Sequence, residues 1–190
     1  MQPKPLNVTV IVGSARAGRL APDIARWFVG QLDQRDDMVA DVIDLADTPL
    51  PNSLDENAPE VVALRPRLAQ ADAFVLIVPE YNRSIPGPLK TTIDCYNAEW
   101  EAKPVGFVSY GLSMAGGVRA VEHLRQIFAE FHAVGMKDIV TFPKILDHYA
   151  DGSFAPELDG CNAAAKLMLD QLGWWATALR DAKERRPYRT

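Results

Sequence analysis

Cysteine is scarce: Cys95 and Cys161 are the two in 190 residues. That excludes a disulfide scaffold, which needs several pairs in a short chain. No CxxC pair and no Cys/His cluster stands at metal-ligand spacing, so no zinc or iron–sulfur site is expected. The three histidines, His123, His132 and His148, show no ligand spacing either. His123 and His132 are assigned to the fourth helix as surface or hydrogen-bonded core residues. Long apolar runs are also missing. The first, Val8 to Val12, is too short for a membrane span or a signal-peptide core, so a cytoplasmic protein is expected. An excess of positive charge is missing too. Twenty Lys and Arg stand against 25 Asp and Glu, a net charge of −5. Nucleic acid and anionic membrane are therefore not expected partners. The basic run Arg180, Lys183, Arg185, Arg186 and Arg189 reads as a helix end that complements the macrodipole.

Hydrophobic residues make up 48% of the chain, enough to bury a core, and no repeat or second-domain boundary is visible. One domain over residues 1–190 is expected. Strand and helix patterns alternate along it, the mark of an α/β fold with a parallel sheet. Strands are predicted over Asn7–Val12, Val39–Leu45, Ala73–Val78, Val105–Ser109 and Ile139–Phe142. Between them run a helix from about Pro22 with Ile24, Trp27, Phe28 and Leu32 on its apolar face, and one over Val61–Gln70. A third spans about Pro86–Ala98, a fourth carries Val121, Leu124, Phe128 and Phe131, and a last carries Met168, Leu172, Trp175 and Leu179. Pro66 lies inside the second and predicts a kink or break. The proline-bearing stretch Asp47–Pro59 is either a binding rim or a solvated connection. Five strands with flanking helices match a flavodoxin-like sheet, order 2-1-3-4-5 with helices on both faces. Ligands in such sheets bind beyond the carboxyl ends of the strands, where the loops after the first, third and fourth strands converge.

Those three loops carry the unusual sequences. The first, Gly13-Ser14-Ala15-Arg16-Ala17-Gly18-Arg19-Leu20, combines glycines, a hydroxyl and two cations at a helix start, which suits an anion such as a phosphate. It is no Walker A loop, because Arg19 and Leu20 stand where lysine and a hydroxyl residue are needed. It is no GxGxxG fingerprint, because position 15 is alanine. Alone, it is equally a helix-capping turn with two surface arginines. The second loop, Pro79 to Lys90, is braced by prolines and offers Tyr81, Asn82, Ser84 and main-chain donors, a set that suits a flat heteroaromatic ring. The third, Ser109-Tyr110-Gly111-Leu112-Ser113-Met114-Ala115-Gly116-Gly117, has three glycines that let backbone approach a ligand closely.

In this order and spacing the loops resemble the NAD(P)H-dependent FMN reductase family, whose members reduce FMN, quinones, azo dyes and chromate. The likeness runs from about Asn7 to Phe142, and PEYNxSxPGxLK over Pro79–Lys90 carries most of it. Where the family usually has Asn-Ala before Ile-Asp, this chain has Thr91 and Thr92. The resemblance implies a flavodoxin-like fold with FMN and NAD(P)H as cofactors. It implies that Ser14, Arg16, Arg19, Leu20 and Ala21 hold the FMN phosphate. Pro79, Glu80, Tyr81 and Asn82 would line the isoalloxazine with Ser84 close by, and Ser109, Gly111 and Gly116 would cover its pyrimidine edge.

The implied reaction is hydride transfer from NAD(P)H to FMN and on to a quinone, azo, flavin or similar acceptor, in ping-pong order. The flavin supplies the chemistry, so no catalytic side chain and no metal are expected. Arg83 is either a contact for the NADPH 2′-phosphate or a solvated charge. A homodimer or homotetramer is implied, and Tyr96 and Trp100 are either part of its interface or core. The competing reading is a flavodoxin-type electron carrier without direct NAD(P)H turnover.

Overall fold

The computed structural model describes residues 4–155 and 158–188, with the side chains of residues 158 and 159 left aside. Arg189 therefore lies outside the described residues. Strands β1 (Leu6–Val12), β2 (Met38–Asp44), β3 (Ala73–Pro79) and β4 (Pro104–Tyr110) form the sheet with two short strands, β5 (Val134–Gly135) and β6 (Val140–Phe142). All pairings in this sheet are parallel, in the order β2-β1-β3-β4-β5, with β6 also on β4. The fold is the flavodoxin-like α/β fold expected from the sequence.

Parallel strands need crossovers, and four helices supply them: α1 (Ala21–Leu32), α2 (Pro59–Gln70), α3 (Gly87–Asp94) and α4 (Val118–Glu130); the long α5 (Leu158–Arg185) follows the last strand of the sheet. β3 and β4 are buried at every position. In β3, Ala73, Val75 and Ile77 face α1 and α5, where Ile24, Phe28, Met168 and Leu172 pack. Phe74, Leu76 and Val78 face the other layer, built from Val61 and Leu68 of α2, Leu89 and Ile93 of α3, and Leu124 and Phe128 of α4. Alternation along one strand thus feeds two cores. No helix among the described residues is long and apolar enough to cross a membrane.

Several details differ from the sequence reading. The fifth sheet position is split. Its pairing with β4 slips by two residues between Pro104↔Val134 and Val108↔Val140, so Met136 to Ile139 loop out between β5 and β6. The predicted strand is the second piece alone. Pro66 does not break α2, which continues from Pro59 to Gln70. Its position is exposed, so the carbonyl that loses a helical N–H partner can meet water. The helix predicted to reach Ala98 stops at Asp94. Trp100 is fully buried and its Nε1–H donates to the Ile93 carbonyl at 3.1 Å, while the Tyr96 hydroxyl donates to the Val61 carbonyl at 3.0 Å. Both belong to this chain's own core. His132 falls beyond α4, in a left-handed turn with φ 52°. On α5 the buried face runs through Ala165, Met168, Leu172 and Ala176, leaving Trp175 partly exposed.

Candidate functional site

Register places the ends of β1, β3 and β4 side by side: Val12 pairs with Ile77, and Pro79 with Tyr110. Their three loops meet above that edge. In the first, the Gly13 N–H donates to the Ile77 carbonyl at 2.9 Å. A Cβ on Gly13 would stand 3.0 Å from Leu89 Cδ2 and 3.2 Å from the Ile77 oxygen, so any larger residue would push Leu89 or the β3 backbone back by a few tenths of an ångström. Ser14 is buried, with Oγ 2.8 Å from the Tyr81 hydroxyl. Gly18 turns the chain at φ 67°, and α1 then opens with Pro22 in its first turn and no side chain capping it. Arg16 is exposed and among the described residues has no ion-pair partner. Arg19 does have one: its Nη2 donates to Asp44 Oδ2 at 2.5 Å.

The second loop is a tight turn. Tyr81 and Ser84 exchange two backbone N–H···O bonds of 2.9 Å, with Asn82 at φ 49° and Arg83 at φ 69°. Two successive left-handed residues define a type I′ turn, a geometry that suits Asn at its first central position. The Glu80 N–H donates to the Tyr110 carbonyl at 3.2 Å, and Glu80 Oε1 accepts from Arg119 Nη1 on α4 at 2.9 Å. Ser84 Oγ lies 3.0 Å from His123 Nδ1, also on α4.

In the third loop the buried Ser109 hydroxyl donates to the Gly116 carbonyl at 2.8 Å. Gly111 donates to the Phe142 carbonyl and accepts from the Ile145 N–H. Gly116 and Gly117 sit at φ 58° and 86°, and a Cβ on either would come within 3 Å of backbone nitrogen or oxygen.

Between the loops lies a cleft of about 300 Å³. Of the residues singled out from sequence, Ser14, Arg16, Arg19 and Leu20 line one side, and Pro79, Glu80, Tyr81 and Gly111 another. The remainder do not line it. Ala21 is buried in the core at the start of α1. Asn82 is exposed at the turn tip, and Ser84 leans to His123. The Ser109 hydroxyl is spent on Gly116, whose own missing Cβ would point at Pro143. Nor does the Asp47–Pro59 stretch reach the cleft wall.

Sequence reasoning left out Gly18, Tyr110, Leu112, Ile145 and Leu146. Tyr110 was readable as the last residue of a buried strand. Ile145 and Leu146 follow the sheet in a 3₁₀ turn, Ile145–His148, that carries no motif.

The walls are chemically divided. Burial pushes the Tyr110 phenol well above its ordinary range, partly offset by the Ser14 hydroxyl, so Tyr110 stays protonated as a donor. Two buried polar atoms of the lining residues have no partner among the described residues: Arg19 Nε, a donor, and Glu80 Oε2, an acceptor. Such orphans are rare in native interiors and call for a partner that the chain itself does not supply. The first calls for an acceptor and the second for an N–H or O–H donor. Leu112 and Leu146, 73% and 60% exposed, make an apolar rim. Among the described residues no cluster of His, Cys, Asp and Glu could hold a metal ion. Cys95 is buried, which raises its thiol pKa and makes it a poor nucleophile.

Residues 6–147 match the family model described as NADPH-dependent FMN reductase. The chain belongs to that family. It is accordingly an oxidoreductase that uses FMN and NAD(P)H. Among relatives, an NAD(P)H-dependent FMN reductase of Schizosaccharomyces pombe is 29% identical over 194 residues, covering 95% of this chain and 94% of the relative. An FMN-dependent NADPH-azoreductase of Staphylococcus haemolyticus is 31% identical over 176 residues, covering 86% and 91%. Among solved structures, the flavoenzyme NAD(P)H:(acceptor) oxidoreductase FerB of Paracoccus denitrificans superposes with a TM-score of 0.72 at 25% identity. That match covers 91% of this chain and 98% of FerB.

Proposed function

We propose that the cleft at the ends of β1, β3 and β4 is the FMN site, and that the chain passes reducing equivalents from NAD(P)H to a small quinone, azo or flavin acceptor. The observation that carries this reading is the pair of unsatisfied polar groups, of opposite hydrogen-bonding sense, on two residues that line one cleft. Arg19 Nε suits a phosphate oxygen, and Glu80 Oε2 suits an N–H on the polar edge of the ring. Both groups occur in FMN.

Bound FMN supplies two-electron hydride chemistry. The residues of this chain bind and orient. Ser14, Arg16, Arg19 and the opening of α1 hold the phosphate through charge-assisted bonds and N–H groups. Pro79, Glu80, Tyr81 and Gly111 bound the ring pocket. The further assignments of Leu20, Ala21, Asn82, Ser84, Ser109 and Gly116 rest on the family resemblance. For Ser109 and Gly116 the role is indirect, because they shape the third loop around Gly111. Leu112 and Leu146 shed water from the mouth, which favours flat apolar acceptors. One mouth serving donor and acceptor in turn makes ping-pong order the expected kinetics.

The same reading takes the chain as one FMN-binding domain in the cytoplasm, assembling as a homodimer or homotetramer. The test is steady-state turnover of NADPH and NADH by the FMN-loaded protein against a panel of benzoquinone, an azo dye and free FMN. Parallel double-reciprocal lines with quinone are expected. Intersecting lines would remove the ping-pong order, and no turnover of any acceptor would overturn the reading.

A further inference from the structure

Arg19 divides its guanidinium between two tasks. Nη2 is held by Asp44 Oδ2, while Nε is buried with no partner and the side chain lines the cleft. Asp44 is itself fixed. It ends β2 in register with Val12, immediately before the Gly13 loop, and its Oδ1 accepts the Ala46 N–H at 3.0 Å. The pair is mostly shielded from water, with side-chain exposures of 19% and 18%. A guanidinium is a rigid planar fork, so pinning one nitrogen decides where the others point. Asp44 does not line the cleft.

We propose that Asp44 is a positioning residue for the phosphate end of the flavin: by pinning Nη2 it fixes the plane of the Arg19 guanidinium, whose remaining N–H groups are then held for a phosphate oxygen. This rests on the FMN reading given above. The opposing possibility is that Asp44 neutralises Arg19 and competes with the phosphate. The two predict opposite signs when Asp44 is truncated. Orientation wins in this geometry, because the pinned and mostly shielded fork has one fixed plane, whereas a loosened Arg19 would swing toward solvent and offer no fixed bond.

Titration of the flavin-free protein with FMN and with riboflavin, followed by flavin fluorescence, separates the outcomes. Riboflavin lacks the phosphate and reports the ring site and the fold alone. Asp44→Ala should weaken FMN binding about tenfold, the loss of one charge-assisted bond, and leave riboflavin binding unchanged. Asp44→Asn keeps one acceptor oxygen, for Nη2 or for the Ala46 N–H but not for both, and should fall between the parent and Asp44→Ala for FMN. In an Arg19→Ala background, Asp44→Ala should add no further loss. FMN binding by Asp44→Ala that is unchanged or tighter overturns the proposal. So does an equal loss for both flavins, or an undiminished loss in the Arg19→Ala background. Failure of the parent protein to bind either flavin would instead overturn the FMN reading and this proposal with it.

Discussion

Raising the pH from about 7.5 to about 9.5 should strengthen one contribution to this fold, and Lys103 is the reason. The residue is buried just before β4, and its Nζ donates to the Leu68 and Ala69 carbonyls at 2.9 and 3.1 Å, in the last turn of α2. Burial lowers its pKa from 10.5 to about 8; Lys183 pushes the same way, and Asp72 and Glu99 oppose. In the unfolded chain the ordinary value returns. Between pH 8 and 10.5 the unfolded chain therefore binds a proton that the folded chain lacks, and stability rises with pH. The slope approaches about 1.4 kcal/mol per pH unit, so roughly 2 kcal/mol accrues by about pH 9.5. Neutral Lys103 still carries two N–H groups, one for each carbonyl, so deprotonation need not break the cap. Tyr96 and Tyr149, both raised to about 12, act in the opposite direction, but only above about pH 10 where unfolded phenols ionise. Lys103→Met keeps most of the volume and removes the titration. Urea unfolding of both proteins across this range should show the parent gaining about 2 kcal/mol relative to the variant. Parallel stability curves would refute the argument, because the difference between the two proteins cancels every titrating group that does not interact with Lys103, as Lys183 does.

Arg16→Ala should weaken FMN binding by about 1.5 kcal/mol, the low end for a charged hydrogen bond because Arg16 is exposed; an unchanged titration would remove it from the site. Gly116→Val should cost stability, on the order of 2 kcal/mol or more, since its Cβ would stand 2.9 Å from the Pro143 nitrogen at φ 58°. An unaltered urea midpoint would contradict that placement. Pro66→Ala restores a helical N–H at an exposed position of α2 and should stabilise by about 1–2 kcal/mol, read from thermal unfolding. A lower midpoint would show that α2 needs the proline.

What was legible in the residues followed periodicity and motif. The buried run Ala73–Val78 could be read as a central strand because no other element tolerates that density of β-branched and aromatic side chains. The Pro79–Lys90 loop could be located because its residue types are rare together. Less legible were features set by distant partners. Nothing near Val134 signals a split strand, since the two-residue slip is registered only against β4. Pro66 seemed a breaker because local propensity ignores the buried Val61, Leu64 and Leu68 that hold α2 to the sheet. Both loop arginines read alike as phosphate ligands, yet Asp44, 25 residues downstream of Arg19, separates them into one free and one tethered cation. The hydrogen bond between the Ser109 hydroxyl and the Gly116 carbonyl, seven residues apart, could likewise not be read from either residue alone.

Because β3 and β4 are occluded along their whole length, the platform beneath the cleft offers almost no latitude for sequence drift. Latitude survives at Leu112 and Leu146, which hang over the opening with little else depending on them. On the proposed function, a change of acceptor is therefore to be sought in those two side chains at the doorway, while the floor is left as it stands.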